Sequence, residues 1–423
     1  MSGGILILTF MLESKKGDKM RKKIYLILIP VLIVIGGTIL YYAIDYLKPI
    51  PHSLSQETIE KSDFLKKQKA AVYFSTTSDQ DIGGDGLGLT VFIDRKNQAK
   101  SFSSKGLELN NLAVSPQNDL LLVDSEKMRL ISSSYKEFDL KKPQYMGEQT
   151  GYIPKKQLFF SLFNTGFDKQ NKYTYTLSYG NKSGFKEATI PFYINAAGTD
   201  QDRIVLLTTQ NVQEENSPMR IQDVTFSSGK MKLAAQAELK IEGKNEIEAF
   251  SSILSDSDYY YVVLKVSEID HEEKNKLVMQ RIDKNSFEQK TFLMYSYKKD
   301  EDSTTSIPYN IKNSSHLYKG IIYYIDGLGN IMTFDTKTTR ISKKFKLEQI
   351  NQEATQHHEE SFFKENFLYM LRYDPKSAEK YLIETYSLSS GKKVTESRIK
   401  GLAEILNSTQ THDVFSYDFR MLN

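Results

Sequence analysis

The chain of 423 residues contains no cysteine, which excludes disulfide bonds, thiolate metal sites, iron–sulfur clusters and cysteine nucleophiles. It also lacks a strong excess of either charge, with 56 Lys and Arg against 53 Asp and Glu. Six basic and two acidic residues lie before residue 45, a local charge of +4, which leaves 50 basic and 51 acidic residues in the rest. Because nucleic-acid binding needs a clustered basic face, this near-neutral body indicates no nucleic-acid partner.

One long uncharged run, Ile24–Ile44, follows the basic cluster. It has 21 residues, and at about 1.5 Å per residue a helix of this length matches the roughly 30 Å hydrocarbon core of a bilayer. A cleaved signal peptide is the alternative, but the run is longer than the apolar region of such peptides and no small-x-small site follows it. We therefore expect a signal-anchor helix in contact with membrane lipid. Because the basic residues precede it, the amino terminus is expected in the cytoplasm.

The predicted organisation has four parts: a cytoplasmic basic tail at 1–23, a transmembrane helix at 24–44, a juxtamembrane linker at 45–69 and an extracytoplasmic domain at 70–423. The start is open between Met1 and Met20, since Met20 precedes Arg-Lys-Lys and the apolar run. Two prolines interrupt the linker, and Ser53 or Ser55 is a suitable cap for a short stalk helix behind them.

Beyond the linker the chain is rich in short Val, Ile, Tyr and Phe segments separated by polar turns. A weak repeat runs through these segments: a strand ends in an apolar residue and a small polar one, a polar turn follows, and a second strand begins. The small polar residues of the seven units are Asp94, Ser132, Ser178, Thr225, Asp283, Asp335 and Ser387. The steps between them are 38, 46, 47, 58, 52 and 52 residues.

A more apolar strand precedes most of these landmarks, beginning at Leu120, Leu158, Ile204, Tyr259, Ile321 and Phe367. Four-stranded propeller blades repeat at about 40–50 residues, as these units do. Blades stack radially because one blade cannot bury both of its faces alone. We predict an all-β domain, a β-propeller of about seven four-stranded blades, with eight as the alternative count. Two stacked β-sandwiches are the alternative fold.

The predicted ring needs a strand to close it. The first unit lacks its opening strand, and the tail AEILNSTQTHDVFSYDFRML supplies one or two strands with no unit of their own. We expect the tail to complete the first blade. The apolar side chains that alternate with polar ones along it, and that are expected to be buried, are Val414, Phe415, Tyr417, Phe419, Met421 and Leu422.

At these landmarks the chain resembles bacterial membrane-anchored extracytoplasmic β-propeller proteins of the WD40-like, YVTN-like and quinoprotein-like groups. The segment SPQND at 115–119 is similar to the Ser-Pro-Asp-Gly turn that those groups place between blade strands. The resemblance covers residues 70–423 and implies an architecture, without a particular activity. The chain departs from these groups in having no tryptophan, so the Trp-Asp pair, the quinoprotein tryptophan motif and the sialidase Asp box are absent.

Asp79, Asp81 and Asp85 are the candidate metal ligands, in the glycine-rich segment DQDIGGDGLG. Three carboxylates at short spacing can wrap a calcium ion, which takes six to eight oxygen ligands. Asp79, Asp81 and Gly84 match positions one, three and six of an EF-hand loop, but Thr90 stands at the position of the bidentate ligand. The missing ligand favours the alternative, an acidic hairpin loop inside the first blade. No other cofactor is expected.

Two further groups of residues have a possible binding role. The pair His357-His358 lacks the spacing of zinc-protease motifs, and neighbours on a strand point to opposite faces. We therefore interpret it as a solvated loop before the strand at Phe362. The run Tyr259–Tyr261 can present a sugar-stacking face, although packing between blades accounts for most tyrosines in strands.

The sequence contains no nucleophile elbow and no phosphate-binding loop. It therefore favours a non-catalytic role: a membrane-anchored extracytoplasmic module that binds or scaffolds an envelope protein, peptide or glycan. The alternative is an extracytoplasmic hydrolase or lyase with its active site at the mouth of the propeller channel. Clustered charged groups at one end of the ring would favour the enzyme, and an exposed apolar or aromatic patch would favour a partner.

Overall fold

The computed structural model describes residues 29–32, 34–37, 49–79, 85–210, 212, 217–227, 230–243, 245–268, 271–298, 307–348, 358–409 and 413–422. The chain divides into two units, Met1–Pro49 and Ile50–Asn423. In the first unit, the described residues 29–32 and 34–37 are helical, and the rest of the predicted membrane segment lies outside the described residues. No helix in the described part of the chain is long and apolar enough to span a bilayer.

The second unit is a ring of seven antiparallel sheets within the described residues. Blade 1 contains β1 (Gln68–Ser75), β2 (Gly88–Asp94) and β3 (Ala99–Ser104). Blade 2 contains β4 (Leu112–Val114), β5 (Leu120–Val123), β6 (Lys127–Ile131) and β7 (Lys136–Asp139). Blade 3 contains β8 (Met146–Ile153), β9 (Leu158–Phe167), β10 (Tyr173–Asn181) and β11 (Gly184–Ile190). Blade 4 contains β12 (Tyr193–Asp200), β13 (Arg203–Thr209), β14 (Met219–Ser227) and β15 (Lys230–Glu238).

The remaining blades follow in chain order. Blade 5 contains β16 (Asn245–Ala249), β17 (Leu254–Ser255), β18 (Tyr259–Glu268), β19 (His271–Asp283) and β20 (Gln289–Ser296), and β16 and β17 both pair with β18. Blade 6 contains β21 (Ser315–Tyr318), β22 (Ile321–Ile325), β23 (Asn330–Asp335) and β24 (Ile341–Lys346). Blade 7 contains β25 (Glu360–Lys364), β26 (Phe367–Tyr373), β27 (Tyr381–Ser387) and β28 (Lys393–Arg398). The last strand, β29 (Phe415–Met421), joins blade 1.

These sheets confirm the propeller of seven blades, and both the eight-blade count and the stacked sandwiches are wrong. The apolar strands singled out in the sequence are the second strands of their blades, namely β5, β9, β13, β18, β22 and β26. The small polar landmarks lie on the third strands or immediately after them, before the outer hairpin. Five of the seven landmarks therefore mark the turn that leads into the outermost strand of a blade, while Thr225 and Ser178 lie two and three residues before the ends of their strands.

At three of the seven landmarks a carboxylate caps the turn of the outer hairpin. The carboxylates of Asp94, Asp283 and Asp335 each accept hydrogen bonds from backbone N–H groups two to four residues later. A short polar side chain satisfies the turn's free N–H groups without help from another strand. In blade 3 the strand expected to end at Ser178 continues to Asn181, whose side chain accepts a hydrogen bond from the N–H of Ser183.

The predicted closure of the ring is confirmed. Strand β29 is the innermost strand of blade 1 and pairs with β1, from Ala70 opposite Met421 to Ser75 opposite Phe415. Of the apolar side chains expected inside, Phe415 and Tyr417 are half-buried, and the fully buried ones are Val414, Phe419, Met421 and Leu422. The alternating polar side chains are buried as well, because the innermost strand faces the centre of the ring: Ser416, Asp418 and Arg420.

The tail contributes a helix in addition to its strand. Residues of the AEILN segment, expected as a strand, form helix α2 together with the preceding leucine, and its bounds are Leu402–Asn407. Alanine, glutamate and leucine favour a helix, and the spacing of Leu402 and Ile405 places both on one buried face. The helix therefore packs on the ring between blades 7 and 1.

The segment expected as a stalk also packs on the ring. It contains helix α1 (Gln56–Ile59) and a 3-10 turn, and its apolar residues Ile59, Phe64 and Leu65 are buried among residues of blades 1 and 2. The ring of Phe64 meets that of Phe92 edge-on at 4.9 Å. Leu54 also donates its N–H to the carbonyl of Ser101 in β3, so the segment covers the outer edge of blade 1.

The innermost strands run in the same direction and contact their neighbours all around the ring. Parallel bridges join Leu109 to Gly147 and Gly198 to Ile253. We call the end at which these strands begin the loop face. It carries the long connections, including residues 76–87, whereas the described strands on the opposite end are joined by turns of two to five residues. Binding and catalytic residues lie disproportionately on loops held by a rigid scaffold, and in this ring the long loops are on the loop face.

Candidate functional site

The centre of the loop face is filled by the connection that precedes β21. Residues 310–314, here called the central plug, form a 3-10 turn at Ile311–Asn313. The carboxamide oxygen of Asn310 accepts hydrogen bonds from the N–H groups of Lys312 and Asn313, at 3.0 and 3.3 Å. Asn310 is an efficient cap for such a turn because its short side chain can reach the free N–H groups.

The central plug is hydrogen-bonded to blades on several sides of the ring. The Nδ2 of Asn310 donates to Glu360 Oε2 of blade 7 at 2.8 Å and to the carbonyl of Tyr417 in blade 1 at 3.1 Å. Lys312 Nζ donates to the carbonyl of Gly147 in blade 3 at 3.3 Å. Ser252 of blade 5 donates to the carbonyl of Lys312 at 2.6 Å. The plug thus ties four blades together at the axis of the ring.

The buried charges of β29 complete this network. Asp418 Oδ2 accepts a hydrogen bond from the N–H of Leu112 at 2.9 Å, and Arg420 Nε donates to the carbonyl of the same residue at 3.1 Å. Arg420 also donates to Asn313 of the plug and lies 3.2 Å from Asp418. Burial raises the pKa of Asp418, while the charge of Arg420 lowers it. These bonds join blades 1 and 2 to the plug.

Glu360 is a buried acidic residue at the axis of the ring. Burial raises its pKa to about 8, and the hydrogen bond from Asn310 acts in the opposite direction. The side chain therefore holds a proton at neutral pH. Carboxyl groups with raised pKa values are candidates for acid–base catalysis. Here, however, Asn310 and Ser416 hydrogen-bond to the carboxyl group, which is buried between blades 7 and 1.

The structure places the predicted calcium ligands only in part. Asp81 lies outside the described residues, Asp79 is exposed, and Asp85 lies 2.9 Å from the ammonium group of Lys105. Within the described ranges, His, Asp and Glu side chains form no group of three that could hold a metal ion. The calcium site stays a prediction.

Two other sequence candidates have defined surroundings. His357 lies outside the described residues, whereas His358 is half-buried and its Nδ1 lies 3.2 Å from the hydroxyl of Tyr381. Tyr260 and Tyr261 are buried, and their hydroxyls donate to Asp223 and Asp256. Packing rather than sugar stacking is therefore confirmed for these two tyrosines.

An aromatic patch lies on the loop face at the junction of blades 3 and 4. Its most exposed members are Tyr145, Met146 and Phe167, with 38%, 39% and 48% of their surface exposed. Tyr173 contacts the rings of Phe167 and Tyr193 edge-on, at 4.9 and 5.0 Å. Met146, at the start of β8, pairs with Asn164 near the end of β9, so Tyr145 and Met146 lie at the same end of blade 3 as Phe167. We call these five residues the aromatic patch.

The turns beside the aromatic patch are basic. Lys142 precedes it, and Lys169 and Lys172 lie in the turn after Phe167, all exposed. The carboxylate of Asp168 accepts hydrogen bonds from the N–H groups of residues 170 and 172, at 2.8 and 2.9 Å, so it serves the turn. Exposed lysines therefore lie in both connections that flank the exposed patch residues, 140–145 and 168–172.

Sequence reasoning found neither the central plug nor the aromatic patch. The plug follows a polar segment with no strand pattern, and its partners are distant in sequence. A partial signal for the patch existed: the apolar residues Tyr145, Met146 and Phe167 stand at strand ends beside turn residues, where polar side chains are usual.

Comparison with known proteins identifies the family. The family described as "YycP, beta-propeller domain" matches residues 63–422. This chain belongs to the YycP β-propeller family. "Uncharacterized protein YycP" of Bacillus subtilis (strain 168) is 28% identical over 377 residues, which cover 89% of this chain and 93% of that protein. The family assignment confirms the predicted bacterial β-propeller resemblance.

Solved structures with a similar course of the chain have little sequence in common with this member of the YycP family. A hypothetical selenium-binding protein from Sulfolobus tokodaii has a TM-score of 0.46 at 8% identity, over 86% of this chain and 96% of that one. BamB from Moraxella catarrhalis has a TM-score of 0.42 at 7% identity, over 78% of this chain and 90% of that one.

Proposed function

We propose that this YycP-family chain is a non-catalytic binding module of the cell envelope. Residues 24–44 anchor it in the membrane with its amino terminus in the cytoplasm, and the propeller stands outside. Its loop face binds a protein or peptide of the envelope through the aromatic patch. The uncharged run behind a basic cluster supports the anchor, and the patch supports the binding role.

The exposure of Tyr145, Met146 and Phe167 is the observation that carries this proposal. Soluble proteins rarely leave clustered apolar side chains in water unless a partner covers them. Aromatic residues and methionine are enriched in the cores of protein interfaces. The exposed lysines beside the patch favour a partner with acidic residues around an apolar contact, because complementary charges orient the encounter.

The charges at the axis also favour binding over catalysis. A hydrolase or lyase at the channel mouth would need acid and base groups that face a substrate. Asp418 and Glu360 instead accept hydrogen bonds from Leu112 and Asn310, and these bonds connect neighbouring blades. Their arrangement is that of a structural network.

Site-specific photo-crosslinking in the cells that make the protein tests the proposal. A photoreactive phenylalanine analogue is placed at position 145 or 167 in the patch, or at the control position 394. Val394 is exposed on β28, in a blade far around the ring. We expect one defined protein adduct from positions 145 and 167, and none from position 394.

The purified partner is then titrated against the full chain. Phe167→Ser and Met146→Ser should each weaken binding by about tenfold, while Val394→Ser leaves it unchanged. Two outcomes would show that the patch is not the binding site. One is an equal yield of adducts from position 394, and the other is a partner that binds both patch variants as tightly as the parent chain. If the patch binds only a glycan, the proposed protein or peptide partner is wrong.

A further inference from the structure

A second concave site opens on the loop face at the seam where the ring closes. It is a cavity of about 480 Å³ between the ends of β26 and β27, helix α2, and residues 413–415 at the start of β29. Ala403, Leu406 and Asn407 line it from α2, which is the spacing of one helix face. The opposite face of α2 is buried, so this wall is fixed to the ring.

Aromatic rings form the other wall of the cavity. The imidazole of His358 lies 5.0 Å from the ring of Tyr373 and 6.3 Å from that of Phe415. Tyr381 is buried behind them, and its hydroxyl lies 3.2 Å from Nδ1 of His358. Tyr373 and Phe415 are half-buried, so part of each ring is accessible from the cavity. The wall is both apolar and held in place.

Three polar side chains stand around this wall. Lys380, Asn407 and Asp413 line the cavity, and none of them makes a hydrogen bond to another described residue. They supply a cation, an amide and an anion. An anionic ligand would be repelled by Asp413, a cationic one by Lys380, and a purely apolar one would strip water from all three groups without replacing its hydrogen bonds.

We propose that this seam cavity binds one pyranose unit of a saccharide. The C–H face of the sugar lies against Tyr373 and Phe415, and its hydroxyls donate to Asp413 and accept from Lys380 and Asn407. Hydroxyl groups both donate and accept hydrogen bonds, as this set requires. The volume is within the range of small-molecule sites, which combine apolar walls with few polar groups.

This inference goes beyond the proposed function and does not rest on it. The aromatic patch belongs to blades 3 and 4, whereas the seam cavity belongs to blade 7 and the tail. The experiments can therefore contradict one proposed binding site and support the other. A sugar in the seam cavity would contact both blade 7 and α2, and would therefore stabilise the closed ring.

The test uses the full chain in a detergent without a sugar headgroup. Glucose, galactose, N-acetylglucosamine and their dimers are titrated one at a time by saturation-transfer NMR, with glycine as a zwitterionic probe. We expect saturable binding of at least one sugar. Tyr373→Ala and Asn407→Ala should weaken it by about tenfold, Tyr373→Phe should retain it, and Tyr145→Ala in the aromatic patch should leave it unchanged.

Asn407→Ala keeps the test decisive if Tyr373→Ala perturbs folding, since Asn407 is exposed. The proposal is overturned if no sugar of the panel binds saturably at millimolar concentration. It is also overturned if glycine binds in preference to the sugars, or if Tyr145→Ala weakens sugar binding as much as Asn407→Ala does. Loss of the protein partner in Tyr145→Ala, with sugar binding intact, concerns only the proposed function.

Discussion

Glu360 is a single buried residue that makes the stability of the ring depend on pH. Its carboxyl group lies between blades 7 and 1 and accepts a hydrogen bond from Asn310 of the central plug. The charge of Asp418 raises its pKa further and the charge of Arg420 lowers it, so these two effects oppose one another. Burial is the dominant cause of the raised pKa, so the folded chain keeps a proton that the unfolded chain releases.

We predict that this residue makes the protein less stable as pH rises. The ordinary pKa of a glutamate, 4.5, applies to Glu360 in the unfolded chain, and its pKa in the folded chain is about 8. Between these values only the folded state binds the proton, so its contribution to the free energy of unfolding falls by about 1.4 kcal/mol per pH unit. Glu360→Gln, which is neutral and still accepts from Asn310, should remove this slope and be the more stable protein near pH 8.

Urea unfolding of both proteins at several values from about pH 5 to about pH 8 measures the difference. Subtracting the two curves isolates Glu360 from the other carboxyl groups. Parallel curves would mean that Glu360 is ionised in the folded chain. Val394→Ala serves as a control, since its curve should run parallel to that of the parent chain.

The structural residues that could be predicted from the sequence are those whose hydrogen-bond partners lie a few residues away in the chain. Asp94, Asp283 and Asp335 bind N–H groups a few residues away, so the same short pattern recurs in three of the blades. Asn313 and Arg420 are partners at the axis but lie 107 residues apart. No local pattern in the sequence indicates such a pair, so the hydrogen-bond network at the axis was not predicted.

At the scale of elements, β29 has a larger role than its length suggests. It pairs with β1 and also contacts the innermost strands of blades 2 and 7. Its polar residues bind the central plug while its apolar residues pack against blade 1 and its neighbours. Strand β29 therefore completes the sheet of blade 1, closes the ring between blades 7 and 2, and supplies side chains to the hydrogen-bond network of the central plug.

We predict that a chain ending at residue 412 fails to form the closed ring. The deletion removes the four buried apolar side chains Val414, Phe419, Met421 and Leu422. At about 1.5–3 kcal/mol for each side chain, the loss is roughly 6–12 kcal/mol, against a typical net stability of about 5–15 kcal/mol. Thermal unfolding of the two chains measures it. If their melting temperatures agree within about two degrees, β29 does not hold the ring together.

A second prediction concerns the segment before β1. Ile59, Phe64 and Leu65 are buried against blades 1 and 2, so a chain of residues 70–423 should be less stable than one of residues 50–423. At about 1.5–3 kcal/mol for each of the three side chains, the loss is roughly 4.5–9 kcal/mol. Melting temperatures of the two chains are the measurement, with the full chain as control. Equal values would show that this segment adds no stability to the ring.

The strands were predictable from their apolar runs, and the other elements were not. Second strands such as β9 and β13 are almost continuously apolar because other blades cover both of their faces. Helix α2 was misread because six residues are too few to show a helical period. The central plug has no period at all, since hydrogen bonds rather than apolar packing hold it.

At the scale of the whole molecule, the loop face bears both proposed sites. The other end of the propeller presents short turns, so partners have less irregular surface to contact there. The aromatic patch and the seam cavity lie in different blades, which lets a protein and a sugar bind without competing for the same residues. The proposed envelope partner requires that this face be accessible from outside the cell, whereas sugar binding in the seam cavity does not depend on the location of the propeller.

The last prediction places the propeller outside the membrane, and the absence of cysteine allows a direct test. A single cysteine is introduced by Ser183→Cys, in the exposed turn between β10 and β11, or by Ser14→Cys in the predicted cytoplasmic tail. Because positive residues are retained on the cytoplasmic side, a membrane-impermeant maleimide should label position 183 in intact cells. Position 14 should react only after the cells are permeabilised.

The unsubstituted chain is the control, since it has no thiol to label. Labelling of position 14 with protection of position 183 would invert the orientation. Protection of both positions until permeabilisation would place the propeller inside the cell, and an envelope partner would then be unreachable. The orientation is thus decided by two residues, one on each side of the apolar run, independently of any ligand.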